Sequence, residues 1–147
     1  MNELSIERVI KASPDKVWDA MTNRFAEWWC PQPWRTDVET IEWRAGGASK
    51  MTLRGPAGEE HKIDGVILEF VSGSHWVSTD ALTKGWVPHE AFMVGRWSVE
   101  PHPEGTLYRA SSRHWSAEAM EQHRAMGFED GWNACAEQLA ALVEGEK

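Results

Sequence analysis

Between residues 36 and 115, apolar and polar side chains alternate in short runs: VETIEW, SKMTLR, KIDGVILEF, HWVSTDAL, FMVGRWSVE and TLYRASSRHW. A period of two puts successive side chains on opposite faces of a strand. The runs are separated by RAGGASK, RGPAGEE, SGSH and EPHPEGT, rich in the residues that favour turns, so the pattern predicts an antiparallel meander. TKGWVPHE is a longer connection carrying Trp86 and His89. Upstream, LSIERVIKA predicts one more strand. SPDKVWDAMT then has the marks of a helix start, with Ser13 as cap, Pro14 at the first helical position and Asp15 in the first turn. A second short helical piece, RFAEWW, stops at Pro31, whose ring disfavours α geometry at Cys30.

After Ser116 the period changes to three and four, and the spacing predicts one long helix through Glu146. Met120, Phe128, Trp132, Cys135, Leu139 and Val143 lie on its apolar stripe. Gly127 and Gly131 stand inside it, each costing roughly 1 kcal/mol relative to alanine. With Cys135 they form a line of small residues, which implies either close approach of another element or space left for a ligand. The layout is strand, two short helices, meander, long helix. A sheet with one apolar face must be covered, and the final helix is the only sizeable cover, so an α+β two-layer fold follows. The chain of 147 residues fits a single domain spanning 1–147.

Charge and composition narrow the classes of function. The net charge of −8, without a basic cluster, disfavours nucleic acid. No apolar run reaches the ~18 residues of a membrane span, and MNELSIERVI lacks the features of a signal peptide, so a cytoplasmic location is expected, without membrane insertion. Cys30 and Cys135 form no CxxC pair and are expected to be reduced thiols. The unusual figure is ten tryptophans against five Phe and Tyr together. An indole is a large apolar body with one N–H that wants a partner, which suits a core or cavity wall with polar groups nearby.

Together, SPDKVWDAMT followed by EWWCP, AGG at 45–47, RGPAGEE at 54–60 and HRAMGFEDGWNACAEQL resemble, in order, the motifs of one family. This is the START-like or SRPBCC superfamily, and within it the AHSA-like branch named for homologues of the C-terminal domain of the activator of a heat-shock chaperone ATPase. The resemblance implies a helix-grip fold, a curved antiparallel sheet of six or seven strands wrapped around the C-terminal helix. It also implies a hydrophobic or aromatic small-molecule ligand held between them, in a carrier, sensor or stress-related protein. Relatives that cyclise polyketides make catalysis an alternative, and the family name makes chaperone interaction a third.

Under that fold, strand parity nominates Met51, Trp76, Trp97, Tyr108 and His114 for the pocket, with His123 and Phe128 from the helix. Ser78, Asp80 and Ser112 share those strand faces. Burying an unpaired hydroxyl or carboxylate costs roughly 1–3 kcal/mol, so a wet or ligand-filled space accounts for them better than a solid core. Trp28 and Trp29 diverge by about 100° if helical, and Trp28 is expected at the pocket. His114, His123, Asp80 and Tyr108 are the groups able to transfer a proton. No nucleophile pairing, HxxxH or HExxH helical pair, or cofactor motif is present, so no catalytic residue, metal ligand or cofactor is assigned from spacing. Trp34, Trp43 and Trp86, in or near connections, are the positions where an interface, including a homodimer, would show.

Overall fold

The computed structural model describes residues 1–145. Strand β1 (Glu3–Ile10) leads into helix α1 (Pro14–Asn23) and a single turn α2 (Phe25–Trp28). Strands β2 (Arg35–Ile41), β3 (Ala48–Arg54), β4 (Glu60–Val71) and β5 (His75–Thr79) follow. A two-residue ribbon, β6 (Leu82–Thr83) with β7 (Val87–Pro88), precedes β8 (Val94–His102) and β9 (Gly105–Arg113). Helices α3 (Ala117–Ala125) and α4 (Phe128–Val143) end the chain.

Seven strands form one antiparallel sheet in the order β1-β9-β8-β5-β4-β3-β2. The chain thus leaves β1, builds the sheet inward from the opposite edge, and closes it by laying β9 beside β1. Register shifts between Val38 and Thr40 and between Ile67 and Glu69 bend the sheet. Parity holds across the central strands, where Trp76 pairs with Trp97 and Trp97 with Ala110. The inner face presents Ile6, Ala110, Trp97 and Trp76, all buried. Opposite them lie Phe128, Trp132, Cys135, Ala136, Leu139 and Val143 of α4, also buried. This is the helix-grip arrangement, with α1 and α2 closing one side of α4.

The local signals act as expected at α1. Ser13 Oγ accepts the Lys16 N–H at 3.4 Å, and Val17, Trp18, Ala20 and Met21 form the buried face. α2 ends because Trp29 turns extended and Cys30 adopts φ +90°, left-handed geometry that a β-carbon makes costly. The segment is held there from α4. The Gln138 amide donates to the carbonyls of Trp28 and Cys30, each at 2.9 Å, and accepts from Gln32 N–H at 2.9 Å. The Cys30 N–H donates to Cys135 Sγ at 3.2 Å.

The expected single C-terminal helix is two helices. Gly127 has φ +97°, which breaks the backbone ladder and turns α3 away from α4. Gly131 remains helical, and a β-carbon there would meet only Pro31 Cγ, at 3.6 Å. The line of small residues therefore does two things: Gly127 makes the break, while Gly131 and Cys135 receive the Cys30–Pro31 loop.

Candidate functional site

Between sheet and α4 the aromatic residues form a continuous layer. Trp97 lies between Trp76 (ring centroids 5.3 Å apart, planes at 19°) and Trp132 (5.6 Å, 16°), giving three near-parallel indoles. Trp43 meets Trp76 at 4.7 Å on one side, and Phe128 meets Trp132 at 4.5 Å on the other. From Phe128 the path continues to His123 at 5.1 Å and from there to His114 at 5.1 Å. Such pairs contribute about 0.5–1.5 kcal/mol each beyond the area they bury. The stack depends on Gly95, where a β-carbon would stand 2.5 Å from Trp97 Cη2.

At one end of this layer the polar groups gather. β9 ends at Arg113, and His114 just beyond it turns inward, 8 % exposed, while α3 contributes His123, 7 % exposed and its single buried residue. His114 Nδ1 lies 3.2 Å from the Asn2 carbonyl, which only accepts, so this nitrogen carries the proton and Nε2 presents a lone pair. His123 Nδ1–H donates to that lone pair at 2.9 Å. The Ser112 hydroxyl, fully buried, is 3.1 Å from His114 Nε2 and 3.4 Å from His123 Nδ1, and donates to Met93 Sδ at 3.0 Å. Phe92 covers the pair, 4.8 Å from the His123 ring. Burial first, and the neighbouring His114 second, lower His123 to about 4, so it is neutral at pH 7.

Two buried donors in the same layer are unpartnered: Trp97 Nε1 and Tyr108 Oη. Tyr108 is fully buried, and burial holds its hydroxyl well above the usual phenol range, as a proton donor. Burial also raises the thiols of Cys135, to about 12, and Cys30, which leaves both as poor nucleophiles.

The structure brings Trp76, Trp97, Phe128, His123 and His114 together along one path. Tyr108 lies beside them, its ring 6.1 Å from Trp28. Trp28 is fully buried, with its Nε1–H on the Met21 carbonyl at 3.3 Å. Trp29, not Trp28, borders open space. It lines a depression of about 600 Å³ with Cys30, Pro33, Trp34 and Gln138, while its ring meets Trp132 at 5.1 Å and Trp97 at 5.5 Å. Met51, buried in the same apolar core but with no place on that aromatic path, borders a second depression of about 420 Å³ lined by Asp37, Lys50 and Arg54. Asp80 falls past the end of β5, where its carboxylate accepts N–H bonds from Phe92 at 2.9 Å and Met93 at 3.2 Å, fixing that segment over the histidines. Sequence reasoning passed over Trp29, Met93, Phe92 and Trp132. Trp132 was legible as the centre of the helical stripe, and Met93 from the parity it shares with Trp97; Phe92 was not, because it precedes β8 in irregular backbone.

Among the described residues no helix is long and apolar enough to cross a membrane. A curved antiparallel sheet gripping a C-terminal helix, with an aromatic layer between them, defines a helix-grip protein of the START-like class. The chain belongs to the activator of Hsp90 ATPase homolog 1-like family, whose pattern matches residues 11–144. A search of curated proteins finds no match. Among solved structures, a protein of Nitrosomonas europaea is 27% identical over 95% of this chain and 92% of its own, with a TM-score of 0.90. A protein of Chromobacterium violaceum is 25% identical over 99% of this chain and 100% of its own, at 0.77. The AHSA1 protein of Silicibacter pomeroyi, 17% identical over 95% and 96% with a TM-score of 0.72, shares the fold.

Proposed function

We propose that this protein binds a small hydrophobic or aromatic molecule in the layer between the sheet and α4, as a carrier or sensor in the cytoplasm. The observation that carries this reading is the pair of buried, unpartnered donors, Trp97 N–H and Tyr108 O–H, within an aromatic layer. Leaving such a group without an acceptor costs about 1–3 kcal/mol, and a ligand oxygen would supply one. Trp76 and Trp132 cover both faces of Trp97, so a ligand oxygen would meet its Nε1–H edge-on, while His114 and His123 form the polar end. Trp28 and Tyr108 back the layer; Asp80 acts through Phe92 and Met93. Met51 has a place only if the ligand reaches β3.

Access runs through α3. That helix buries a single side chain, His123, and joins α4 at Gly127, so swinging it outward breaks few contacts and uncovers Phe128 and Trp132. Tryptophan emission titrated with neutral aromatic probes tests the reading. Saturable one-to-one quenching that weakens at least about tenfold in Trp97→Leu supports it, whereas quenching linear in probe concentration counts against it.

A second reading is catalysis on a polyketide-like substrate, favoured by one observation: His123, neutral and bonded to His114, can take or return a proton at that polar end. Unchanged turnover of a discovered substrate after His123→Gln would remove it. A chaperone or second-copy interface draws on Trp86 and Trp115, each 57% exposed, and sedimentation of wild type against Trp86→Ser tests that face.

A further inference from the structure

Four donor atoms from four different parts of the chain converge at the buried end of the site. Ser112 Oγ comes from β9, His114 Nε2 from the turn after it, His123 Nδ1 from α3 and Met93 Sδ from the segment before β8. The three nitrogen and oxygen atoms form a triangle with edges of 2.9, 3.1 and 3.4 Å. Two ligands about 2.0 Å from one tetrahedral ion stand roughly 3.3 Å apart, so the triangle has the size of one face of a coordination shell. The thioether lies 3.0 Å from the oxygen corner.

We propose that His114, His123 and Met93, with Ser112 beside them, form a binding site for monovalent copper. The choice of ion follows from the donors. No third His, Cys, Asp or Glu joins the pair among the described residues, so the set is neutral: two imidazoles, a thioether and a hydroxyl. A divalent ion would remain doubly charged in an interior walled by Phe92, Phe128 and Trp132, and the cost of burying charge rises steeply with its magnitude. A thioether is a soft ligand that favours Cu(I), whereas sites for zinc generally draw on thiolate, carboxylate or additional imidazole.

The surroundings suit ligation. His114 donates Nδ1–H to the Asn2 carbonyl, the outer hydrogen bond that fixes the tautomer of a metal-bound imidazole and aims its lone pair inward. Asp80 holds Met93 in place through its backbone N–H at 3.2 Å. Without an ion the two imidazoles close on each other through a shared N–H. Binding replaces that bond: the His123 proton moves from Nδ1 to Nε2, and both facing lone pairs point at the ion.

The test is anaerobic titration with Cu(I) held by bicinchoninate, followed by copper-edge X-ray absorption of the loaded protein. The expected result is one equivalent bound, with nitrogen ligands and a single sulfur. Affinity should fall about 100-fold in His114→Gln and in His123→Gln, and about tenfold in Met93→Leu. Near-UV circular dichroism of the tryptophans checks that each variant is folded. Failure of wild type to take copper from the chelator overturns the proposal. So does a site with two sulfur ligands, since that assigns the ion to Cys30 and Cys135. The X-ray absorption result on wild type decides between these even where a variant does not fold.

Discussion

His123 Nδ1 stands 2.9 Å from His114 Nε2, so the single buried residue of α3 is hydrogen-bonded to the residue that follows β9. This contact latches α3 over the aromatic layer, in surroundings whose burial disfavours a charge on His123. An unfolded histidine takes up a proton near pH 6.5, but His123 in the folded chain does so only at about 4. The unfolded state therefore binds more protons across that window. The stability is present in full above about pH 6.5 and is lost as the pH falls towards 4. Urea melts of wild type should lose more stability than those of His123→Gln over that range. Parallel pH profiles for the two proteins would contradict the burial of a neutral His123.

Gly95 is where the tryptophan stack meets the sheet. A β-carbon there would fall 2.5 Å from Trp97 Cη2, and Trp97 cannot retreat because Trp76 and Trp132 hold both of its faces. Gly95→Ala should destabilise the fold by about 1–3 kcal/mol. Adding Trp97→Leu should remove most of that increment, so a double-mutant cycle by chemical denaturation reads the coupling directly.

Gln138 ties the Trp28–Gln32 loop to α4 with three hydrogen bonds. In Gln138→Leu the carbonyls of Trp28 and Cys30 lose their donor, while Cys30 remains at φ +90°. The expected cost is about 1–3 kcal/mol, with faster amide exchange at Cys30 and Gln32. Unchanged exchange there would show that the Cys30 N–H bond to Cys135 Sγ holds the loop by itself.

Gly127 carries the break between α3 and α4. Nothing lies within 4 Å of where its β-carbon would be, so an alanine meets only the strain of φ +97°. Gly127→Ala should cost about 1–2 kcal/mol. Amide exchange should quicken in α3 while remaining slow in α4, since only the junction is perturbed. Uniform quickening through both helices would contradict independent movement of α3.

Much of the fold was legible in the sequence because its periods are plain. Alternation in HWVSTDAL and FMVGRWSVE placed Trp76 and Trp97 on one face, and Ser13-Pro14 marked the start of α1. The break at Gly127 was not legible, since a glycine within a helical period looks the same whether it is packed against or turned through positive φ. Site geometry was harder still. Asp80 shares strand parity with Ser78, but β5 ends at Thr79 and frees its carboxylate to bind backbone. The choice between Trp28 and Trp29 turned on the end of α2, which depends on Gln138, more than a hundred residues away in sequence. The His114–His123 pair, nine residues apart across a strand-to-helix boundary, follows no motif spacing and becomes visible only in three dimensions.

Native mass spectrometry of the protein purified from its own host tests the central claim most directly. The account predicts a non-covalent adduct of one small organic molecule per chain, retained in wild type and lost or weakened in Trp97→Leu. A spectrum containing only the bare 16.7 kDa chain, from protein never exposed to denaturant, would contradict it.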